Sequence, residues 1–158
     1  MEDLRVLFFF YIVEGFLMTM TGLRLFGYKT NVKILAAISI TYGASIWIIR
    51  GVYQYYHIPL GSHSLILTVI LSFLIKMIGK VNWGTALGAA LVSFSLVMLG
   101  GGMSVVIIQY FQLDVTNVLS NPWLHVLMGY TEIVFLALML IINKVFGFTL
   151  TRSQEIHK

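Results

Sequence analysis

Cysteine is absent from this 158-residue chain, and only 10% of its residues are charged. Without thiols there is no disulfide framework and no thiol redox chemistry. A soluble domain of this size carries roughly 25% charged residues, so the side chains needed to face water are missing. Those two shortages exclude an ordinary soluble enzyme, a disulfide scaffold and a disordered chain. Catalytic fingerprints are missing too: there is no G-x-x-x-x-G-K-[ST], G-x-S-x-G or G-x-G-x-x-G pattern. No polar segment exceeds about fifteen residues, too short for a nucleotide-binding domain.

What the chain does have is apolar bulk, at 59% hydrophobic residues and a mean hydropathy of +0.93. Five apolar runs stand out, at about Leu4–Leu23, Ile34–Tyr55, His63–Ile78, Asn82–Phe111 and Pro122–Asn143. Each reaches or approaches the roughly 20 residues a helix needs to cross a bilayer. The expected fold is therefore all-α: a single five-helix transmembrane domain over 1–147 and a short polar tail over 148–158. The first run starts with acids and has no small-residue cleavage site, which fits a retained helix rather than a signal peptide. At thirty residues the fourth run would reach roughly 45 Å, against a hydrocarbon core of about 30 Å. Gly100-Gly101-Gly102 is the natural place for it to kink or end, with tilt, an extension beyond the membrane or a re-entrant break as alternatives.

The net charge of +4 does not point to nucleic acid, because the basic residues are scattered between apolar runs. They read instead as topology signals. With the amino terminus outside, the inner segments hold Arg24, Lys29, Lys33, Lys76, Lys80, Lys144, Arg152 and Lys158, while the outer ones hold only Arg5. That bias predicts an outer amino terminus and an inner carboxyl terminus. A prokaryotic inner membrane is the simplest location. Tyr53, Tyr55, Tyr56, Trp83 and Trp123 fall at the ends of runs, as an interfacial aromatic belt should.

Small residues predict where helices touch, since close approach drives association in lipid. Gly15, Thr19 and Gly22 share a face of the first run, Gly43 sits with Ser39, Ala44 and Ser45 in the second, and Gly84 and Gly88 open the fourth. Packing within one monomer is the first reading and a homo-oligomer interface the second.

Ionisable residues at bilayer depth are costly, about 2.5–3.5 kcal/mol each on insertion scales, and so mark function or pairing. Glu14 and Glu132 each lie ten residues into an inward-running helix, at similar depth, and Arg50 lies one to two turns above them. His125, Gly129 and Glu132 share one helix face, and His63 opens the third run. These residues can be an ion pair bracing the bundle, a binding or switching element open to the outside, or a proton or cation relay. No histidine spacing fits a metal site, and no cofactor is expected.

The order Arg50, Pro59-Leu60-Gly61-Ser62-His63-Ser64, a lysine-ended helix, a Gly/Ala-rich helix and Asn121-Pro122-Trp123 resembles the N-terminal multi-helix sensor region of bacterial membrane histidine kinases of the GHKL or sporulation type, over about residues 5–145. The resemblance implies a non-catalytic sensor or interaction domain that signals to a cytoplasmic kinase or regulator. In that family an acid is expected near Leu99–Gly102, where this chain has glycines, and no phospho-acceptor helix or ATP-binding domain follows Thr151. It therefore implies an isolated sensor domain or a stand-alone relative. A small oligomeric transporter or channel using Glu14 and Glu132 is the alternative.

The topology has a direct check, because the chain has no cysteine of its own. Single cysteines placed beside Asp3 and beside Lys144 should react with a membrane-impermeant maleimide from opposite sides of sealed vesicles. Labelling of both from one side would reject the five-span arrangement.

Overall fold

The computed structural model describes residues 3–58 and 62–151, without the side chains of Thr116 and Leu119. The expected turn at Pro59–Gly61 and the tail cations Arg152 and Lys158 lie outside the described residues. Among those residues the chain is helical, with no strand. Five helices are long and apolar enough to span a membrane: α1 (Leu4–Leu25), α2 (Val32–Tyr55), α3 (Ser62–Gly79), α4 (Trp83–Tyr110) and, after the short α5 (Val115–Ser120), α6 (Pro122–Phe146).

The helix starts are written into the sequence as asparagines. Asn31 accepts from the Lys33 amide at 3.0 Å, Asn82 from Thr85 at 2.7 Å, and Asn121 from Trp123 and Leu124 at 3.1 and 3.3 Å. Each satisfies amides that the first turn leaves without partners. Pro122 follows its cap at the first helical position, where a missing N–H costs nothing. At the far end of α6, Gly147 takes the left-handed conformation that closes the helix (φ 64°).

Helix α1 is the centre of the bundle. Over half of its apolar window is buried (56%), against 17–33% in the other four long helices. It packs against α2, α4 and α6, while α3 fills the arc between α2 and α4. Glycines bring the backbones together. A Cβ at Gly15 would meet the Tyr42 ring at 3.0 Å, one at Gly43 would meet Ile12 at 2.9 Å, and one at Gly22 would meet the Ala89 carbonyl oxygen at 2.5 Å. Hydroxyls seal these crossings. Ser93 of α4 donates to the Met18 carbonyl of α1 at 2.7 Å, and Thr21 of α1 donates to Leu136 of α6 at 3.4 Å. Gly88 lies under the Phe26 ring, whereas Gly84, in the first turn of α4, would meet only the Asn82 side chain at 3.6 Å. The α1–α4 crossing thus belongs to Gly22 and Gly88 and lies beyond the reach of Gly84.

Three details depart from the sequence reading. First, α4 runs from Trp83 to Tyr110 without ending at Gly100-Gly101-Gly102. At Gly100 the absent side chain lets α4 lie directly against the backbone of Glu132, and Gly101 and Gly102 have open space around them. Second, α1 contains a π-helical turn at Leu7–Tyr11, closed by the Ile12 amide donating to the Leu7 carbonyl. Third, α6 is interrupted at Ile133, which leaves helical geometry (φ −93°, ψ 0°) and splits it into Pro122–Glu132 and Val134–Phe146.

The outward faces are apolar. Leu65, Val69, Phe73 and Met77 of α3 and Leu138, Ile141 and Val145 of α6 are all exposed. An apolar surface of this extent suits hydrocarbon rather than water. The aromatics near the helix ends, Tyr55, Tyr56, Trp83 and Trp123, are exposed as well.

Two glycine substitutions separate close packing from mere helix composition. Gly22→Ala should destabilise the bundle by about 1–3 kcal/mol through overpacking. Gly51→Ala, at a position with nothing within 4 Å, should be neutral or mildly stabilising. Unfolding of both variants in detergent, followed by circular dichroism, makes the comparison. Equal effects would show that the α1–α4 contact is loose.

Candidate functional site

Helical periodicity turns a short set of side chains toward one point. On α1, Phe10, Glu14 and Met18 repeat every four residues; on α2, so do Tyr42, Ile46 and Arg50. On α4, Phe94, Val97, Met98 and Gly101 share a face, and α3 and α6 add His63, Ser64, Leu67 and Glu132. Together they line a partly open cavity of about 250 Å³ to which every long helix contributes.

Charge is concentrated in that cavity. Arg50 interacts electrostatically with both Glu14 and Glu132, and the two carboxylates with one another. The Arg50 guanidinium also sits over the Tyr11 ring, 5.4 Å from its centroid, within cation–π range. Tyr11 is presented by the π turn, so the irregular start of α1 places the aromatic face that receives the arginine. Glu14 is buried, at 9% exposure, and Tyr42 beside it is buried as well. Among the described residues neither Glu14, Glu132 nor Tyr42 makes a side-chain hydrogen bond. The His63 ring stacks edge-on to Tyr53 at 5.7 Å, and its buried Nδ1 has no hydrogen-bond partner among the described residues.

The structure thus brings four of the five charged or polar residues singled out from the sequence to one cavity: Glu14, Arg50, His63 and Glu132. The fifth, His125, is buried behind it, 6.4 Å from the Phe10 ring and 6.3 Å from the Tyr11 ring. It does not line the space, but it packs beside these rings and interacts electrostatically with Arg50. Tyr42, Ser64 and the aromatic wall formed by Phe10 and Phe94 were not foreseen. For Phe10 and Tyr42 the signal was available as four-residue spacing from Glu14 and Arg50, once those two are placed on a common interior; Ser64 and Phe94 stand on other helices and carried no such signal.

Both carboxylates sit next to irregular backbone. Glu14 follows the π turn by three residues, and Glu132 immediately precedes the interruption at Ile133. Such turns are frequent at functional sites because they redirect side chains and release backbone groups for other partners. Here the Tyr130 hydroxyl donates to the Phe9 carbonyl at 2.9 Å, and Ser104 and Thr131 bond to each other and to the Met128 carbonyl.

At the opposite, basic end the carboxyl-terminal segment is fastened to α1. The Leu150 amide donates to the Leu25 carbonyl at 2.6 Å and the Thr151 hydroxyl to the Phe26 carbonyl at 3.1 Å. The Asn143 side-chain amide donates to the carbonyls of Arg24 and Phe148. The polar tail expected from residue 148 therefore begins as a docked segment as far as Thr151.

Comparison with protein-family models, with curated proteins and with solved structures returns no match.

The charge cluster yields a stability test. Arg50→Leu should lower stability in detergent by about 3–5 kcal/mol, because it leaves carboxylates in a largely apolar bundle without their cation. Adding Glu14→Gln should recover part of the loss. An unfolding midpoint unchanged by Arg50→Leu alone would mean that the arginine does not brace the bundle.

Proposed function

We propose that the chain is a multi-pass integral membrane protein, amino terminus out and basic end in the cytosol, acting as a non-catalytic sensor module. The cavity is its receptor site for a small solute. The observation that carries this reading is the composition of the cavity wall: all five long helices contribute to it. An occupant touches every helix at once, so its binding energy can favour one packing of the bundle over another. The central helix α1 then links the two ends. It carries Glu14 in the cavity and, at Leu25 and Phe26, the carbonyls that hold Leu150 and Thr151. A change in α1 would reach the cytosolic face, where a kinase or regulator would read it. This is also what the resemblance to the sensor regions of membrane histidine kinases implies. A homo-oligomer remains compatible with the exposed apolar faces.

A transport reading has one specific observation in its favour. Interrupted helices beside an acidic residue are a device of ion-coupled transporters, and α6 breaks at Ile133 next to Glu132. Sensing is preferred because the charged residues gather in a single cavity rather than along a path.

The two readings separate in one preparation. Spin labels on cysteines at Tyr28 and Lys80 report the basic end. Gly101→Trp, whose side chain would enter the cavity, stands in for an occupant. Sensing predicts that Gly101→Trp shifts the label-to-label distance distribution while reconstituted vesicles carry no proton or cation flux. An unchanged distribution would reject the sensor reading. Flux abolished by Glu132→Gln would establish transport in its place.

A further inference from the structure

We infer that the cavity binds a small organic monocation, with an ammonium group held between Glu14 and Glu132 and an apolar portion lying against Phe10, Met18 and Phe94. This rests on the reading of the cavity as a receptor site and supplies the class of its ligand.

The first argument is a count of hydrogen-bond partners. Buried polar groups are nearly always satisfied, and ionised carboxylates can only accept. Glu14 is nine-tenths buried on the cavity wall and has no hydrogen bond among the described residues; Glu132 likewise has none. What is missing at this site is a set of donors, and an ammonium group brings three.

The second argument is charge. Two acidic side chains and one guanidinium line the space, so a bound cation lets both carboxyl groups ionise and leaves the site neutral overall. An anionic ligand attracted to Arg50 would join two carboxylates already there, which low polarity makes costly. A multivalent metal ion is disfavoured by geometry: the described residues bring no three His, Asp or Glu side chains together at ligating distance.

The third argument is size and wall chemistry. A cavity of about 150 Å³ accommodates benzene, so one of 250 Å³ suits a molecule of roughly ten non-hydrogen atoms. That is too much room for an alkali ion alone. Phe10, Phe94 and Tyr42 offer ring faces to a cation and to its hydrocarbon part.

The test uses three molecules of one shape and different charge: benzylamine, benzyl alcohol and benzoate. Each is titrated at neutral pH against the full chain in lipid nanodiscs, with thermal unfolding and calorimetry as readouts. The expected result is saturable stabilisation by benzylamine only, weakened at least tenfold in Glu14→Gln and abolished in Gly101→Trp. Glu14→Gln keeps the size of the side chain, and the comparison among the three probes on the unaltered protein does not depend on any variant folding. The inference is overturned if benzyl alcohol stabilises as well as benzylamine, if benzoate binds in preference, or if none of the three binds. In those cases the spin-label result decides the rest. A shift caused by Gly101→Trp would leave the receptor reading standing with a ligand of another class, and its absence would remove both.

Discussion

Backbone contact between α1 and its neighbours is the constraint on which the bundle depends. In an apolar surrounding, helices gain little from hydrophobicity, and their association rests on close packing and on hydrogen bonds between them. Gly15 and Gly43 set the distance between α1 and α2, and Gly22 sets that between α1 and α4. The hydroxyls of Ser93 and Thr21 then bond across the seams those glycines create. With three sides of α1 fixed in this way, Glu14 has no freedom to turn outward. Its burial is a consequence of the packing below it.

The site follows from the same constraint. The cavity lies beside these close contacts, since Gly15 and Gly43 adjoin the lining residues Glu14 and Tyr42. Phe10, Met18, Phe94 and Met98 line that space without filling it. Arg50 reaches it from near the carboxyl-terminal end of α2 and is steadied by the Tyr11 ring. The arrangement concentrates nearly all of the bundle's interior charge at one place and leaves the rest apolar. Glu14, Arg50 and Glu132, three of the chain's sixteen Asp, Glu, Lys and Arg residues, share that one place.

How much of this could be read from the residues alone depended on the kind of signal. The five long helices follow from hydropathy, three of them also from asparagine at their starts, and their observed ends lie within a few residues of those expected. The shared location of Glu14, Arg50 and Glu132 follows from counting residues along helices that alternate in direction. The unbroken course of α4 was not legible, because three glycines in a row weaken a helix only where nothing supports it, and Gly100 is supported by the backbone of Glu132. The π turn at Leu7–Tyr11 and the interruption at Ile133 carry no glycine or proline at all. The π turn packs against α2 and the first half of α6, stretches distant from it in sequence. His125 lies off the cavity wall, against the rings of Phe10 and Tyr11, yet it interacts electrostatically with Arg50.

The interruption in α6 has a mechanical meaning. Its first half is tied to α1 by the Tyr130 hydroxyl at Phe9, and its second half by Thr21 at Leu136 and by Asn143 at Arg24. The same helix is thus gripped twice along its length, once on either side of Ile133. A rotation of α1 about its own axis would pull both grips, and the joint between them is where two rigid rods could answer by different amounts.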